Sequence, residues 1–178
     1  MNREEFQRRQ QGIADALAAA GIVITPEERD HLEVADFGLR DFPKQGLGLI
    51  TYVNTTRVCA KELVMLPGQT CPQHRHPPVA GGPGKEETFR VRRGLCTLYV
   101  DDGPATAEPA CTPPGPHYQK LREVTLRPGE QFTLPPFTWH WFQAGPEGCV
   151  VSEFSTTSRD DADEWIDPDI RRIPIVEG

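Results

Sequence analysis

Between Gly68 and Gly94 the chain reads GQTCPQHRHPPVAGGPGKEETFRVRRG, and this run carries three side chains suited to a divalent metal: His74, His76 and Glu87. Gly68 stands six positions before His74, and Gly94 seven after Glu87. Strand side chains alternate from face to face, so an extended run projects His74 and His76 from one face and likewise pairs Lys85 with Glu87. A fourth ligand candidate, His140, lies downstream in LPPFTWHWFQAG. Imidazoles and a carboxylate can hold an octahedral cation with positions left open, which a catalytic metal needs and a closed structural site lacks.

The rest of the composition narrows what can surround such a site. The 178 residues fit one domain with its own core, and 25% charged residues argue against wholesale disorder. Pro 18 and Gly 16 favour short strands joined by many turns. A net charge of −7 opposes electrostatic binding to nucleic acid. The apolar runs are too short to span a bilayer. The opening MNREEFQRRQQ lacks the apolar stretch of a secretory signal. Cys59, Cys71, Cys96, Cys111 and Cys149 are odd in number and show no CxxC spacing. Reduced thiols in a cytoplasmic protein are the expectation, with no cysteine-based zinc site.

Taken in order, residues 3–20 form a helix with Phe6, Ile13 and Leu17 on one stripe and Gly21 as the stop. Thr25-Pro26-Glu27-Glu28 has the form of a capping box and starts a second, short helix. From about residue 47 the pattern turns to strands. LGLITYVNT is one, and RVCAKELVMLP is the next, with Cys59, Lys61, Leu63 and Met65 on one face. Lys61 is then either a buried functional group or a lysine near a strand end that reaches solvent. Residues 77–86 form a Gly/Pro loop, TFRVRRGLCTLYVDD reads as two strands joined near Arg93-Gly94, and residues 103–118 read as irregular. Two more strands flank a Pro128-Gly129 turn, and EGCVVSEFSTT gives another, with Val151, Glu153 and Ser155 on one face. In the acidic tail, Trp165, Ile166, Ile170, Ile173 and Ile175 imply docking on the body. Pro67-Gly68 and Pro128-Gly129 form the one rough internal echo.

That echo resembles a known pattern. Gly68, His74, His76, Glu87 and Gly94 resemble the first cupin motif, with ten residues between His76 and Glu87 where the family has a shorter gap. Gly129, Pro135 and His140 resemble the second, with Phe137 where a glycine is usual. The resemblance implies an all-β fold, a small jelly-roll barrel with short N-terminal helices. The expected divisions are an N-terminal helical segment (1–45) packed on the barrel, the barrel itself (46–158) and a C-terminal extension (159–178). The runs CAKELVMLPGQTCPQHRHPP, GKEETF and WHWFQAGPEG followed by SEFSTTS are similar to the short cupin-type D-lyxose isomerases. This closer resemblance implies an aldose–ketose isomerase acting on D-lyxose and D-xylulose, often also D-mannose and D-fructose. It further implies manganese as the preferred metal and a homodimer. Cobalt, zinc, nickel or iron would also suit imidazole ligands.

Isomerisation must move a proton between C2 and C1 and shift the carbonyl with it, so it needs a polarising metal and a base. His74, His76, Glu87 and His140 are the expected metal ligands. Glu153 is the candidate base, with burial beside Val151 and Phe154 expected to raise its pKa. The resemblance supports it through the glutamate of an EFS-type run. Lys85 is the candidate partner, through a Lys-x-Glu pair recurring in the family, with a nearby metal expected to depress its pKa for proton donation. Lys61 and Gln143 are candidates for binding sugar hydroxyls. Glu86 competes with Glu87, since a slip of one residue exchanges which carboxylate faces inward. Trp139, Trp141 and Phe142 serve packing, or else one faces the sugar. Arg90, Arg92 and Arg93 either offset nearby acids or bind an anion, which keeps a phosphosugar isomerase open. A metal-dependent cupin oxidoreductase and a non-catalytic sugar-binding module are the other readings.

Overall fold

The computed structural model describes residues 1–79 and 81–172. Helix α1 (Arg3–Ala19) starts where the Asn2 side chain accepts a hydrogen bond from the Glu5 amide, and it buries Ile13, Ala14 and Leu17. Helix α2 (Pro26–Asp30) starts at the capping box read from the sequence: Glu28 donates its amide to Thr25 Oγ1 and accepts from the Thr25 amide. No helix among the described residues is long and apolar enough to cross a membrane.

The strands follow as β1 (Glu33–Ala35), β2 (Leu47–Asn54), β3 (Cys59–Met65), β4 (Thr70–Arg75), β5 (Glu87–Val100), β6 (Arg122–Leu126), β7 (Gln131–Leu134), β8 (His140–Ser155) and β9 (Glu164–Trp165). The pairing runs β1-β2-β3-β8-β4-β9, and β5 joins it along β8 while also pairing β6 and β7. All these strand pairings are antiparallel. The curled sheet has the cupin architecture. Segment 1–45 contributes a strand, β1, as well as helices, and the extension after residue 158 contributes β9.

Two strands depart from the reading of the sequence. Residues 87–100 form one strand instead of two joined at Arg93-Gly94. Its register against β8 shifts between Val91 and Arg93 and again between Gly94 and Cys96. Such bulges bend a strand sharply without reversing it. Strand β8 is likewise one element of 16 residues, running through AGPEG where the sequence suggested a break. The bend brings β5 and β8 together at Gly94, whose φ is +74° and where an added Cβ would collide with the Gly148 carbonyl oxygen.

The inward faces enclose one apolar cluster that includes Leu47, Leu63, Phe89, Val91, Leu98 and Phe142. The outer face of the first strands is covered by α1, through Ile13 and Leu17 against Val34, Ile50 and Val64. Residues 103–118 are irregular as expected; Cys111 and Tyr118 cover the stacked rings of Tyr99 and Trp141. In the tail, Ile170 joins the core and Trp165 packs on it, while Ile173 and Ile175 lie outside the described residues.

Candidate metal and catalytic site

Three strands aim side chains at one point. His74 in β4 is the register partner of His140 at the start of β8, and His76 follows the end of β4. Glu87 opens β5 and pairs with Ser155. The His74 ring centroid lies 5.0 Å from that of His76 and 4.3 Å from that of His140. One ring nitrogen from each of the three histidines falls within 4.8 Å of the others. Glu87 Oε1 is 3.2 Å from His76 Nε2 and 3.0 Å from His140 Nε2. All four residues are buried.

The donor chemistry fits a metal. His74 Nδ1 lies 2.8 Å from the Pro72 carbonyl oxygen, and His140 Nδ1 lies 2.9 Å from that of Thr138. A carbonyl only accepts, so each Nδ1 carries the proton and each Nε2 keeps a lone pair. His76 Nδ1 lies 2.5 Å from Asp163 Oδ1 and presents its Nε2 in the same way. His140 Nε2 makes no hydrogen bond among the described residues, and with its lone pair facing Glu87 Oε1 at 3.0 Å neither atom has a proton to give. A buried nitrogen with no partner is costly in itself, and a cation between these groups would satisfy it.

The charges on His74 and Glu87 point the same way, while His76 must give up a proton to ligate. Burial and the neighbouring His140 and His76 lower the pKa of His74 well below the usual value, so it is neutral and able to ligate. Burial opposes ionisation of Glu87, but Lys85 and His76 hold its pKa well below the usual carboxylate value. Burial also disfavours charge on His76, yet Glu87 and Asp163 outweigh it and raise that pKa to about 9.

Lys85 bridges two carboxylates, with Nζ 2.5 Å from Glu153 Oε1 and 2.8 Å from Glu87 Oε2. Burial would lower its pKa, but Glu153 and Glu87 hold it well above the usual value. The expectation of a depressed lysine concerned a neighbouring cation; with the two carboxylates alone beside it, Lys85 favours the ammonium form. Glu153 is buried, as expected, and also accepts from Ser155 Oγ at 3.1 Å. Phe154, expected to help bury it, points outward and is 51% exposed.

Lys61 faces inward, which resolves its two readings in favour of burial. Its Nζ donates to Ser158 Oγ at 3.0 Å and to both oxygens of Asp160, at 3.1 and 2.9 Å. Gln143 does not reach the site. Its amide donates to Thr70 Oγ1 and the Thr112 carbonyl, because alternation along β8 turns Gln143 away from the face that carries His140 and Phe142. Glu87 faces inward, whereas Glu86 is exposed. Phe142 lines the cavity, Trp141 stacks on Tyr99 behind the sheet, and Trp139 meets the Arg75 guanidinium at 4.4 Å. None of Arg90, Arg92 and Arg93 lines the cavity; Arg90 bonds Gln131 at the surface.

A cavity of about 40 Å³ adjoins these groups, lined by Lys61, Lys85, Glu87 and Glu153 and also by Asp160, Asp163, Trp165 and Arg172. The last four come from the C-terminal extension and were missed as site residues. The only signal for them was the apolar pattern that indicated docking of the tail. Arg172 donates to Asp160 Oδ2 at 3.0 Å and to Glu33, tying the extension to β1. Burial resists charge on Asp160, but Lys61 and Arg172 hold its carboxyl well below the usual range.

Comparison with known proteins places this arrangement. A family model described as D-lyxose isomerase matches residues 116–178. A D-lyxose ketol-isomerase of Cohnella laeviribosi is 52% identical, covering 99% of this chain and 98% of its own. The chain belongs to the D-lyxose isomerase family. A second member, a D-lyxose/D-mannose isomerase of Thermosediminibacter oceani, is 53% identical over 99% of both chains. The family assignment makes this chain an enzyme of the sugar isomerase class. Among solved structures, Cellulomonas parahominis L-ribose isomerase with L-ribose superposes with a TM-score of 0.76, 17% identity and coverage of 99% of this chain and 98% of that one. The L-ribose isomerase of Acinetobacter sp. DL28 gives a TM-score of 0.75 and 18% identity, covering 96% and 94%. At such identities the shared property is the fold.

Proposed function

We propose that this D-lyxose isomerase family member interconverts D-lyxose and D-xylulose, and D-mannose and D-fructose, in a metal-dependent reaction. The observation that carries the reading is the contact of the Lys85–Glu153 pair with Glu87 beside the three histidines, in a chain about half identical to enzymes named for these sugars. His74, His76, His140 and Glu87 would hold the cation, with manganese the first choice because a carboxylate and sugar oxygens suit an oxygen-preferring ion. When bound, it would supply Lewis-acid polarisation of the sugar oxygens at C1 and C2.

Glu153 takes the C2 proton of the aldose, exchanges it with solvent and delivers a proton to C1, so it ends the cycle in its starting state, while the O2 hydroxyl proton passes to O1 between the adjacent enediol oxygens. Lys85 stays protonated throughout. It holds Glu153 in place and offers a hydrogen bond to the sugar oxygen on which negative charge develops. Lys61, fixed by Asp160 and Ser158, faces the same cavity and is available to sugar hydroxyls. A sugar-phosphate reading loses its support, since the arginine cluster that would bind phosphate lies away from the cavity. A homodimer and a cytoplasmic location belong to the same proposal.

The test is ketose formation from D-lyxose and D-mannose by metal-stripped protein in D2O, with and without manganese. Product formed only with metal, carrying deuterium at C1, is expected. Product without solvent deuterium would replace proton transfer with a hydride shift. No product with any divalent metal would overturn the isomerase reading.

A further inference from the structure

The three histidines are not oriented in the same way. His74 and His140 each donate Nδ1–H to the carbonyl of the residue two positions earlier in their own segment, Pro72 and Thr138. Those contacts form as soon as the local chain takes its shape. His76 has no such partner among the described residues. It follows the last residue of β4, and its Nδ1 instead meets Asp163 Oδ1 at 2.5 Å, 87 positions along the chain.

Asp163 is poorly explained as a surface acid. Its side chain is 6% exposed and lies against the His76 ring rather than in solvent. It is delivered by a short segment with its own anchors on β4. Next to it, Glu164 and Trp165 pair with Arg75 and His74 to form β9. Glu164 also accepts from Arg75 Nε at 2.6 Å, and the Trp165 ring stacks on His74 at 4.8 Å between centroids. A buried carboxylate is thus held at one imidazole nitrogen by the strand that immediately follows it.

We infer that Asp163 is a positioning residue, which fixes the orientation and tautomer of His76 and so sets the affinity of the site for its divalent cation. An acceptor on Nδ1 forces the lone pair onto Nε2, and a carboxylate there makes the imidazole a stronger donor to a metal. The C-terminal extension is then a working part of the site. The inference rests on the metal reading proposed above.

The test compares manganese binding, measured by calorimetry on metal-stripped full-length protein, for the wild type, Asp163→Ala and Asp163→Asn. Loss of an orienting partner of this kind typically weakens binding about 10- to 100-fold. That loss is expected for Asp163→Ala. Asp163→Asn keeps an acceptor oxygen but no charge, and should fall between the two. With manganese far above the dissociation constant, kcat should largely recover in Asp163→Ala. A merely structural role would instead lower the melting temperature of the metal-free variant and leave kcat depressed in saturating metal, and that pattern would overturn the inference. So would an Asp163→Ala affinity within about twofold of wild type. A wild-type protein that binds no divalent ion would overturn the metal reading and this inference together.

Discussion

At the scale of single residues, Glu153 and Phe137 carry the most decisive expectations. Glu153 touches the Lys85 ammonium and not the histidines, so its removal as a base leaves the ligands in place. Glu153→Gln should retain stoichiometric manganese while kcat falls by about 10²- to 10⁴-fold, the usual contribution of a general base. Turnover within a few-fold of wild type, measured with metal content, would remove Glu153 from the mechanism. Phe137 shows a different kind of constraint. It stands where the cupin pattern has glycine, and its φ of +60° is the conformation that glycine would adopt without strain. Its ring lies 3.9 Å under the Arg75 guanidinium, a contact worth about 0.5–1 kcal/mol at an exposed site. Phe137→Ala removes the ring and keeps the strain, whereas Phe137→Gly removes both. The glycine variant should therefore be more stable than the alanine variant by about 1 kcal/mol in chemical denaturation. Equal midpoints would show that the backbone there carries no strain. The departure from the motif was legible in the sequence, but the retention of the glycine-like backbone was not, since a residue name does not report φ.

At the scale of elements, local signals were read well and bends were not. The Thr25 capping box and the stripe of α1 depend on neighbours within four residues, so the sequence contains the whole argument. Gly94 and Gly148 mark places where φ is positive, and a turn and a bulge make the same demand on the chain. A glycine in an apolar run therefore does not say whether the strand reverses or continues. What decides is the partner: β5 continues because β8 follows it on both sides of the bend, a contact between residues far apart in sequence. Gln143 was a different kind of miss, because alternation from His140 already assigns it to the opposite face. The bend itself can be tested. Gly94→Ala adds a methyl against the Gly148 carbonyl at a φ of +74°. Clash and left-handed backbone together should cost about 2–4 kcal/mol. Gly115→Ala, where an added Cβ meets nothing within 4 Å, is the control and should be near neutral. A Gly94→Ala urea midpoint matching that control would mean the two strands can separate there freely.

At the scale of the whole molecule, the site is closed by parts that come from opposite ends of the chain. Glu33 from β1, Lys61 from β3 and Asp160, Asp163 and Arg172 from the extension meet at one side of the cavity. The expected division at residue 158 is crossed by the Lys61–Asp160 ion pair at 2.9 Å, so barrel and extension act as one unit at this point. Asp160 is the shared acceptor in that network, and its depressed pKa makes the closure sensitive to acid. In the unfolded chain an aspartate titrates near pH ~3.9, while in the folded protein Lys61 and Arg172 keep Asp160 ionised well below that. Above that unfolded value Asp160 is charged in both states and its stabilising contribution is complete. Below it the unfolded state takes up a proton that the folded state does not, so stability falls as acidity increases through the folded value. Asp160→Asn removes this difference. The variant should be less stable than wild type at neutral pH, and the gap should narrow steadily as the pH is lowered below about 4. Unfolding free energies across that range provide the measurement. Parallel curves for the two proteins would mean that Asp160 does not link acid to the closure of the site, and the extension would then have to be held by Trp165 and Ile170 in the core cluster.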